Sequence, residues 1–249
     1  MSNMPDLIAH RGYAAKYPEN TVIAFTKAII AGAQFIECDV QLSADQVPIL
    51  FHDAGLARIC GQPGAINDYP LTDLQKFHAA LPDKFGNKFT EVPIATLQDL
   101  IDLLKQHPSV TAFVELKKNS LKHFGTDLVV SKVLDMLEEI KGQAVIISYD
   151  IDALYETRNA GWEQIGVVVD TWKETDSAAI IDLQPHYLFC NVNGLPANGT
   201  ISFPGARIAV FEVDDPDLAL ELAARGVDMI ETFAIKEMLT ALKNAGRHG

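Results

Sequence analysis

Short runs of apolar and β-branched residues alternate along the chain with longer segments whose apolar residues recur at helical spacing. A typical helical segment runs from Asn20, its expected N-cap, to Gly32. Strands without a polar face that alternate with helices predict a parallel sheet. Eight of the runs are predicted to be strands: Leu7–Ala9, Phe35–Val40, Val110–Leu116, Ala144–Ser148, Ile165–Val169, Tyr187–Asn191, Arg207–Val213 and Asp228–Thr232.

Eight strand–helix units in 249 residues match the usual size of a (β/α)8 TIM barrel, whose sites lie at the C-terminal ends of the strands. An open doubly wound sheet is the alternative architecture. The sequence has no G-x-G-x-x-G after its first strand, and polar residues stand at the ends of several strands. We therefore predict one α/β barrel domain over residues 1–249.

One further apolar run, Val47–His52, follows the second strand after only the four residues SADQ. That link is too short for a helical crossover, so the two runs are predicted to form an antiparallel β-hairpin. If Ser43 faces Gln46 across the turn, His52 stands opposite Glu37 and returns to the same face. A one-residue bulge would shift this pairing.

Residues 53–93 interrupt the regular pattern, and glycines and prolines are scattered through them. Such a long interruption of a βα pattern is usually functional or an added subdomain. We predict a small inserted cap over the barrel mouth.

Two strand ends carry closely spaced ionisable residues. Glu37 and Asp39 are two positions apart on one strand, so their side chains point the same way, about 6 to 7 Å apart. Glu115 and Lys117 share a face of the neighbouring strand by the same rule. Three convergent carboxylates predict a divalent cation site that favours Mg²⁺, Ca²⁺ or Mn²⁺ over Zn²⁺.

Two histidines stand next to this candidate cation site. His10 and His52 lie on separate segments and suit proton transfer near neutral pH as a general acid and a general base. Arg11 and Lys117 supply positive charge for a phosphoryl group. Glu231, near the end of the last strand, fits a wall of the site or a solvated carboxylate equally well.

The charge of the chain limits its partners. Asp and Glu number 33 against 20 Lys and Arg, which gives a formal net charge of -13. This charge opposes binding to nucleic acid and to an anionic membrane surface. The three cysteines have no paired spacing, and no long apolar run stands out, so we expect reduced thiols and a cytoplasmic location.

The ordered set AHRG, PENT, ECDVQL, FHD and VELK resembles the glycerophosphodiester phosphodiesterases, over nearly the whole chain. The resemblance implies a barrel that hydrolyses glycerophosphodiesters, such as glycerophosphocholine or glycerophosphoethanolamine, to sn-glycerol 3-phosphate and an alcohol with a divalent cation. It implies attack by the glycerol 2-hydroxyl, a cyclic phosphate and its opening by water. By motif, it assigns metal ligands (Glu37, Asp39, Glu115), an acid–base pair (His10, His52), phosphate contacts (Arg11, Lys117) and a supporting or helix-capping residue (Asn20).

The C-terminal third departs from the pattern of that family. Phe211 stands in place of a tryptophan, Asp214 stands near the usual amide, and Glu231–Phe233 replaces an aspartate-containing strand end. These departures bear on which alcohol group is accepted and how the glycerol end is held.

Other functions are compatible with parts of the pattern. The same site could act on lysophospholipids, in the manner of a lysophospholipase D, or release a cyclic phosphate as a phosphodiester lyase. A non-catalytic phosphodiester-binding barrel would not need the two histidines. A metal-free phosphatidylinositol phospholipase would not need three carboxylates. The expected partners are a small-molecule substrate and, because barrel enzymes are often dimers, a second copy of the chain, without stable membrane association.

Overall fold

The computed structural model describes residues 4–246. It contains one nine-stranded sheet that closes on itself. The strands are β1 (Asp6–Ala9), β2 (Phe35–Leu42), β3 (Pro48–Leu50), β4 (Thr111–Leu116), β5 (Ala144–Ser148), β6 (Ile165–Val169), β7 (Tyr187–Asn191), β8 (Arg207–Phe211) and β9 (Met229–Thr232).

Helices follow the strands in alternation, with short 3₁₀ turns at 66–68, 138–143, 172–176 and 192–194. The α-helices are α1 (Val22–Ala31), α2 (Ala57–Cys60), α3 (Leu71–Leu74), α4 (Pro82–Phe85), α5 (Leu97–Lys105), α6 (Lys118–Phe124), α7 (Thr126–Leu137), α8 (Ile151–Asn159), α9 (Ala178–Leu183), α10 (Pro216–Ala224) and α11 (Ile235–Ala245).

All strands except β3 run parallel and form a closed barrel. The order is β1-β9-β8-β7-β6-β5-β4-β2, and a pairing between β1 and β2 closes the ring. The predicted (β/α)8 barrel is confirmed, and each of the eight predicted strands is present. The predicted strand Arg207–Val213 is shorter in the structure, where β8 ends at Phe211.

The hairpin between β2 and β3 exists, but its predicted register is wrong. Val40 pairs with Leu50, one position away from the predicted pairing. The turn holds three residues, since the Ser43 amide donates to the Val47 carbonyl and Gln46 adopts a positive φ of 62°. A left-handed third loop residue is the usual bulge of such hairpins. His52 therefore lies beyond the strand, two residues after its end.

The core forms two layers separated by the barrel wall. Inside the barrel, a small apolar cluster fills the part toward the N-terminal ends of the strands. In this cluster, Phe113 contacts Phe189 with ring centroids 5.0 Å apart. Outside the barrel, the other faces of the strands pack against the helices in one large cluster. Because these apolar side chains fill the interior, the open space lies at the C-terminal ends of the strands, where TIM barrels carry their sites.

Residues 53–93 form short helices and turns between β3 and α5. Their apolar side chains pack together with Ile49, Phe51 and Ile94 in a cluster separate from the main core. The two ends of the segment meet, because the Leu50 amide donates to the Ala95 carbonyl at 2.8 Å.

The three cysteines are free thiols, and Cys38 and Cys190 are buried while Cys60 is half-buried. Within residues 4–246, no helix combines the length and apolar character needed to cross a membrane.

Candidate active site

Ionisable side chains converge where the parallel strands end. Glu37 and Asp39 lie on β2, and Asp39 pairs in register with Glu115 of β4. Glu231 lies near the end of β9, in register with Ile8 of β1. These four carboxylates are buried, with at most 9% of any of these residues exposed.

Asp39 lies at the centre of the positive charge in this cluster. Its carboxylate lies 3.0 Å from Lys117 Nζ and 3.2 Å from Arg11 Nε, and the Asn20 amide donates to it at 2.7 Å. Burial alone would raise the pKa of Asp39, but Lys117 and Arg11 hold it well below its usual value. Asp39 is therefore the carboxylate of the cluster that is most firmly ionised.

Glu37 and Glu115 have less compensating positive charge around them than Asp39. Burial and the negative charge of Asp39 raise the pKa of Glu37, and burial also raises the pKa of Glu115 despite its 2.9 Å ion pair with Lys117. The Glu37 Oε1 atom is buried and has no hydrogen-bond partner among the described residues. Orphaned carboxylate oxygens beside like charges fit a site that binds a cation.

His10 is enclosed by several groups at the end of β1. Its Nε2 lies 3.6 Å from Glu37 and its Nδ1 lies 3.3 Å from Glu212. The Phe233 ring stacks on the imidazole, with centroids 4.7 Å apart and planes inclined by 12°. Burial, followed by the charge of Arg11, lowers the pKa of His10 well below its ordinary value, so the imidazole is neutral at pH 7.

His52 reaches the same cavity from the segment that follows β3. The Asp53 carboxylate lies 2.9 Å from His52 Nδ1. Because an ionised carboxylate only accepts hydrogen bonds, this contact assigns the proton to Nδ1 and leaves Nε2 free. The Gln41 amide donates to the carbonyls of Phe51 and Asp53 at 2.8 and 2.7 Å, which fixes the backbone on both sides of His52.

An ion-pair network joins this histidine to Arg11. The Arg58 guanidinium donates to both oxygens of Asp53 and both oxygens of Glu19, at 2.7 to 2.9 Å. Glu19 in turn accepts from Arg11 Nη1 at 2.9 Å. No role was predicted from the sequence for Glu19, Asp53 or Arg58, although Glu19 and Asp53 stand inside the motifs PENT and FHD.

Asn20 was predicted as the N-cap of the first helix, but in the structure it contacts Asp39 and does not cap α1. Thr21 is the N-cap, and its hydroxyl accepts from the Ala24 amide. Asn20 has a positive φ of 56° and forms a two-point contact with Asp39, donating to its carboxylate and accepting from its amide. A left-handed residue suits asparagine better than most side chains.

Gly12 makes the turn after His10 and Arg11. Its φ is 83°, and a Cβ atom there would lie 2.7 Å from the Ala24 carbonyl carbon and 2.9 Å from the Phe25 nitrogen. Only glycine lets the strand end approach the first turn of α1 this closely.

We expect Gly12→Ala to lower the free energy of unfolding by at least about 1–3 kcal/mol, the cost of a strained left-handed residue. Displacement of the α1 backbone adds to this cost. Urea denaturation measures it, and Gly61→Ala is the matched control, because Gly61 has a φ of 65° and no atom within 4 Å of the added Cβ. Equal losses in the two variants would contradict the role given to close packing.

The converging side chains enclose a cavity of about 230 Å³. One wall carries the charged residues, including both histidines, Arg11 and Lys117. Asp39 lies behind this wall, fully buried. The remaining wall is largely aromatic and apolar, formed by Ile147, Tyr149, Val168, Phe189 and Phe211.

Three groups among the described residues have ligand atoms close enough together to hold a metal ion. One is the predicted set Glu37, Asp39 and Glu115, and a second is His10, Glu37 and Glu231. The third, around Asp53, already surrounds the guanidinium of Arg58, which takes the place of a cation there.

Comparison with known proteins agrees with this arrangement. The family model for the glycerophosphoryl diester phosphodiesterase family matches residues 10–232. The chain belongs to that family. It is therefore a phosphoric diester hydrolase, with the family's hydrolysis of glycerophosphodiesters as its activity.

Relatives and solved structures share most of its length. A glycerophosphodiester phosphodiesterase from Caldanaerobacter subterraneus subsp. tengcongensis is 27% identical, over 96% of this chain and 98% of that protein. A phosphodiesterase structure from Oleispira antarctica, in complex with the product sn-glycerol-3-phosphate, has a TM-score of 0.80 and 25% identity, covering 96% of this chain and 97% of that one. The glycerophosphodiester phosphodiesterase from Thermotoga maritima shares the fold, with a TM-score of 0.73 at 24% identity, covering 95% and 98%.

The departures from the family pattern lie together in the structure. The Asp214 carboxylate accepts hydrogen bonds from the Thr232 hydroxyl and from the amides of Phe233 and Ala234. It thereby holds the turn that presents Phe233 to His10. Phe211 lines the cavity as the expected aromatic wall.

Proposed function

We propose that the chain hydrolyses small glycerophosphodiesters, such as glycerophosphocholine and glycerophosphoethanolamine, to sn-glycerol 3-phosphate and an alcohol, with a divalent cation. The observation that carries the proposal is one cavity lined by the carboxylates of Glu37 and Glu115, two histidines and two basic side chains, with the third carboxylate of the predicted set, Asp39, buried directly behind its wall. The product found in the Oleispira antarctica relative supports the same substrate class.

Glu37, Asp39 and Glu115 are the proposed cation ligands. Their oxygens fit a hard cation, Mg²⁺, Ca²⁺ or Mn²⁺, and the orphaned Glu37 Oε1 supports this choice. A divalent cation at this place supplies positive charge to the phosphoryl oxygens.

The chain's own basic side chains hold the phosphate in this proposal. Arg11 and Lys117 line the cavity and are oriented by Asp39. The planar guanidinium of Arg11 and the compact ammonium of Lys117 together suit a phosphoryl group, on which negative charge is spread over several oxygens.

His10 and His52 are the proposed acid and base. They lie on separate segments, so one can take the proton of an attacking hydroxyl while the other gives a proton to the leaving alcohol. The attacking group is the glycerol 2-hydroxyl. It forms a new bond to phosphorus as the alcohol departs, and water then opens the cyclic phosphate.

The remaining proposals concern the surroundings of the site. Residues 53–93 act as the cap, and their contribution of Asp53 and Arg58 to the network beside the cavity supports this. The net charge of -13 supports a small-molecule partner and opposes nucleic acid. A second copy of the chain, the absence of stable membrane association and a cytoplasmic location stay predictions.

Release of sn-glycerol 3-phosphate from glycerophosphocholine tests this function. We expect no turnover in EDTA and recovery when Mg²⁺, Ca²⁺ or Mn²⁺ is restored. Cyclic phosphate as the final product would favour the lyase, and activity confined to lysophospholipids would favour the lysophospholipase D-like hypothesis. No activity with any metal and head group would contradict a phosphodiesterase role.

A further inference from the structure

Glu231 is a buried carboxylate to which no motif gives a role. It lies near the C-terminal end of β9, beside β1, with 3% of the residue exposed. Its Oε1 atom is buried and has no hydrogen-bond partner within residues 4–246. A buried, unpaired carboxylate oxygen is costly, so its presence in the cavity wall requires a physical explanation.

The basic side chains of the cavity are directed elsewhere. Lys117 contacts Asp39 and Glu115, while Arg11 contacts Asp39 and Glu19. In the part of the chain that the structure describes, no lysine or arginine nitrogen lies within 4.0 Å of the Glu231 carboxylate. Burial and the charge of Glu115 raise its pKa well above the ordinary value.

The neighbours of Glu231 offer ligand atoms at suitable spacing. One oxygen of Glu231, one oxygen of Glu37 and one ring nitrogen of His10 form a group whose ligand atoms all lie within 4.8 Å of one another. Two oxygens bound to the same Ca²⁺ at about 2.4 Å can be no farther apart than about 4.8 Å. Glu37 also belongs to the predicted ligand set with Asp39 and Glu115, so it links Glu231 to that set.

We propose that Glu231 is a cation ligand that shares a divalent ion with Glu37. This inference rests on the proposed function, because it adds a carboxylate from β9 to the cation site formed by β2 and β4. The ion would then bind two carboxylates, Glu37 and Glu231, that have no lysine or arginine side chain within ion-pair distance among the described residues. The β9 side of the cavity would be held to the β2 side through the metal.

Mn²⁺ binding tests the proposal without any turnover. Titration of the full chain with Mn²⁺, followed by the EPR signal of the free ion, gives the affinity of the wild type and of Glu231→Gln. We expect at least a 10-fold weaker affinity in the variant. The amide has the shape of the carboxylate and removes an unpaired buried charge, so the variant should fold.

Glu212→Gln is the matched control, because it removes one negative charge from the same cavity at a side chain that is 41% exposed. We expect its Mn²⁺ affinity to stay within about 3-fold of the wild type, since exposed charges are screened. Equal weakening in the two variants would assign the effect to general electrostatics and overturn the proposal.

Thermal denaturation gives a second readout that shows whether each variant is folded. Mn²⁺ should raise the melting temperature of the wild type more than that of Glu231→Gln, because at a given concentration a ligand that binds the folded state more tightly stabilises it more. Unchanged Mn²⁺ affinity in Glu231→Gln would overturn this inference and leave the proposed function intact. A wild type that binds no divalent cation would overturn both.

Discussion

Replacing His52 or His10 with alanine is expected to lower kcat by roughly 10²- to 10⁴-fold, the usual contribution of a positioned acid or base. His52 has its Nδ1 occupied by Asp53, which leaves one free nitrogen for proton transfer. His10 lines the same cavity and is buried, and this burial lowers the pKa of its imidazole. Initial rates with glycerophosphocholine at saturating substrate measure the effect.

Two controls separate chemistry from folding. His123→Ala removes an exposed histidine on α6 outside the cavity and should leave kcat unchanged. His10→Ala also removes the partner of the Phe233 ring, so its melting temperature must be compared with that of the wild type. Near wild-type turnover in a folded His10 or His52 variant would contradict the acid–base assignment.

The second large effect is a difference in the free energy of unfolding between two variants of strand β2, Asp39→Asn and Glu37→Gln. In the absence of metal, Asp39→Asn is expected to lower the free energy of unfolding by about 3–5 kcal/mol, as when one partner of a buried ion pair is removed. Arg11 and Lys117 would both lose their shared counter-ion. Glu37→Gln should be neutral or stabilising, because no lysine or arginine side chain among the described residues lies within ion-pair distance of Glu37, and its histidine neighbour His10 has a lowered pKa.

Urea denaturation in EDTA measures both variants. The sign follows from the pKa of each group. Because the pKa of Asp39 is lower in the folded state, its ionised carboxylate stabilises the fold at any pH above its pKa in the unfolded state. This stabilisation is lost as the pH falls through its pKa in the folded state. A raised pKa means that wild-type Glu37 costs stability once the pH exceeds the unfolded value. A Glu37→Gln variant as unstable as Asp39→Asn at pH 7 would contradict this charge distribution.

The main outline of the fold was predictable because its signals are local. Runs such as AVIIS and IGVVV are buried on both faces, and their alternation with helices is enough to predict a parallel barrel. The convergence of Glu37, Asp39 and Glu115 was predictable as well, since it needs only the two-residue period of strands and the adjacency of β2 and β4.

Features that depend on one backbone angle or on distant residues were not predictable. The left-handed Gln46 shifts the hairpin register by one position, which no residue type at that place signals. The chain of contacts through Arg58 joins residues 39 positions apart. The available signals were the proline and asparagine that flank Glu19 and the histidine before Asp53. They mark a motif but do not indicate that Glu19 and Asp53 bind Arg58.

The segment 53–93 has apolar contacts of its own, and its ends meet beside β3. Two of its residues, Asp53 and Arg58, also form the hydrogen bonds beside His52 and Glu19, so they are tied to the charged network at the strand ends. Outside these two residues, the segment can change in length or sequence without breaking a pairing between the parallel strands of the barrel. The chain thus separates a part whose sequence is bound to the chemistry from a part that is free to diverge.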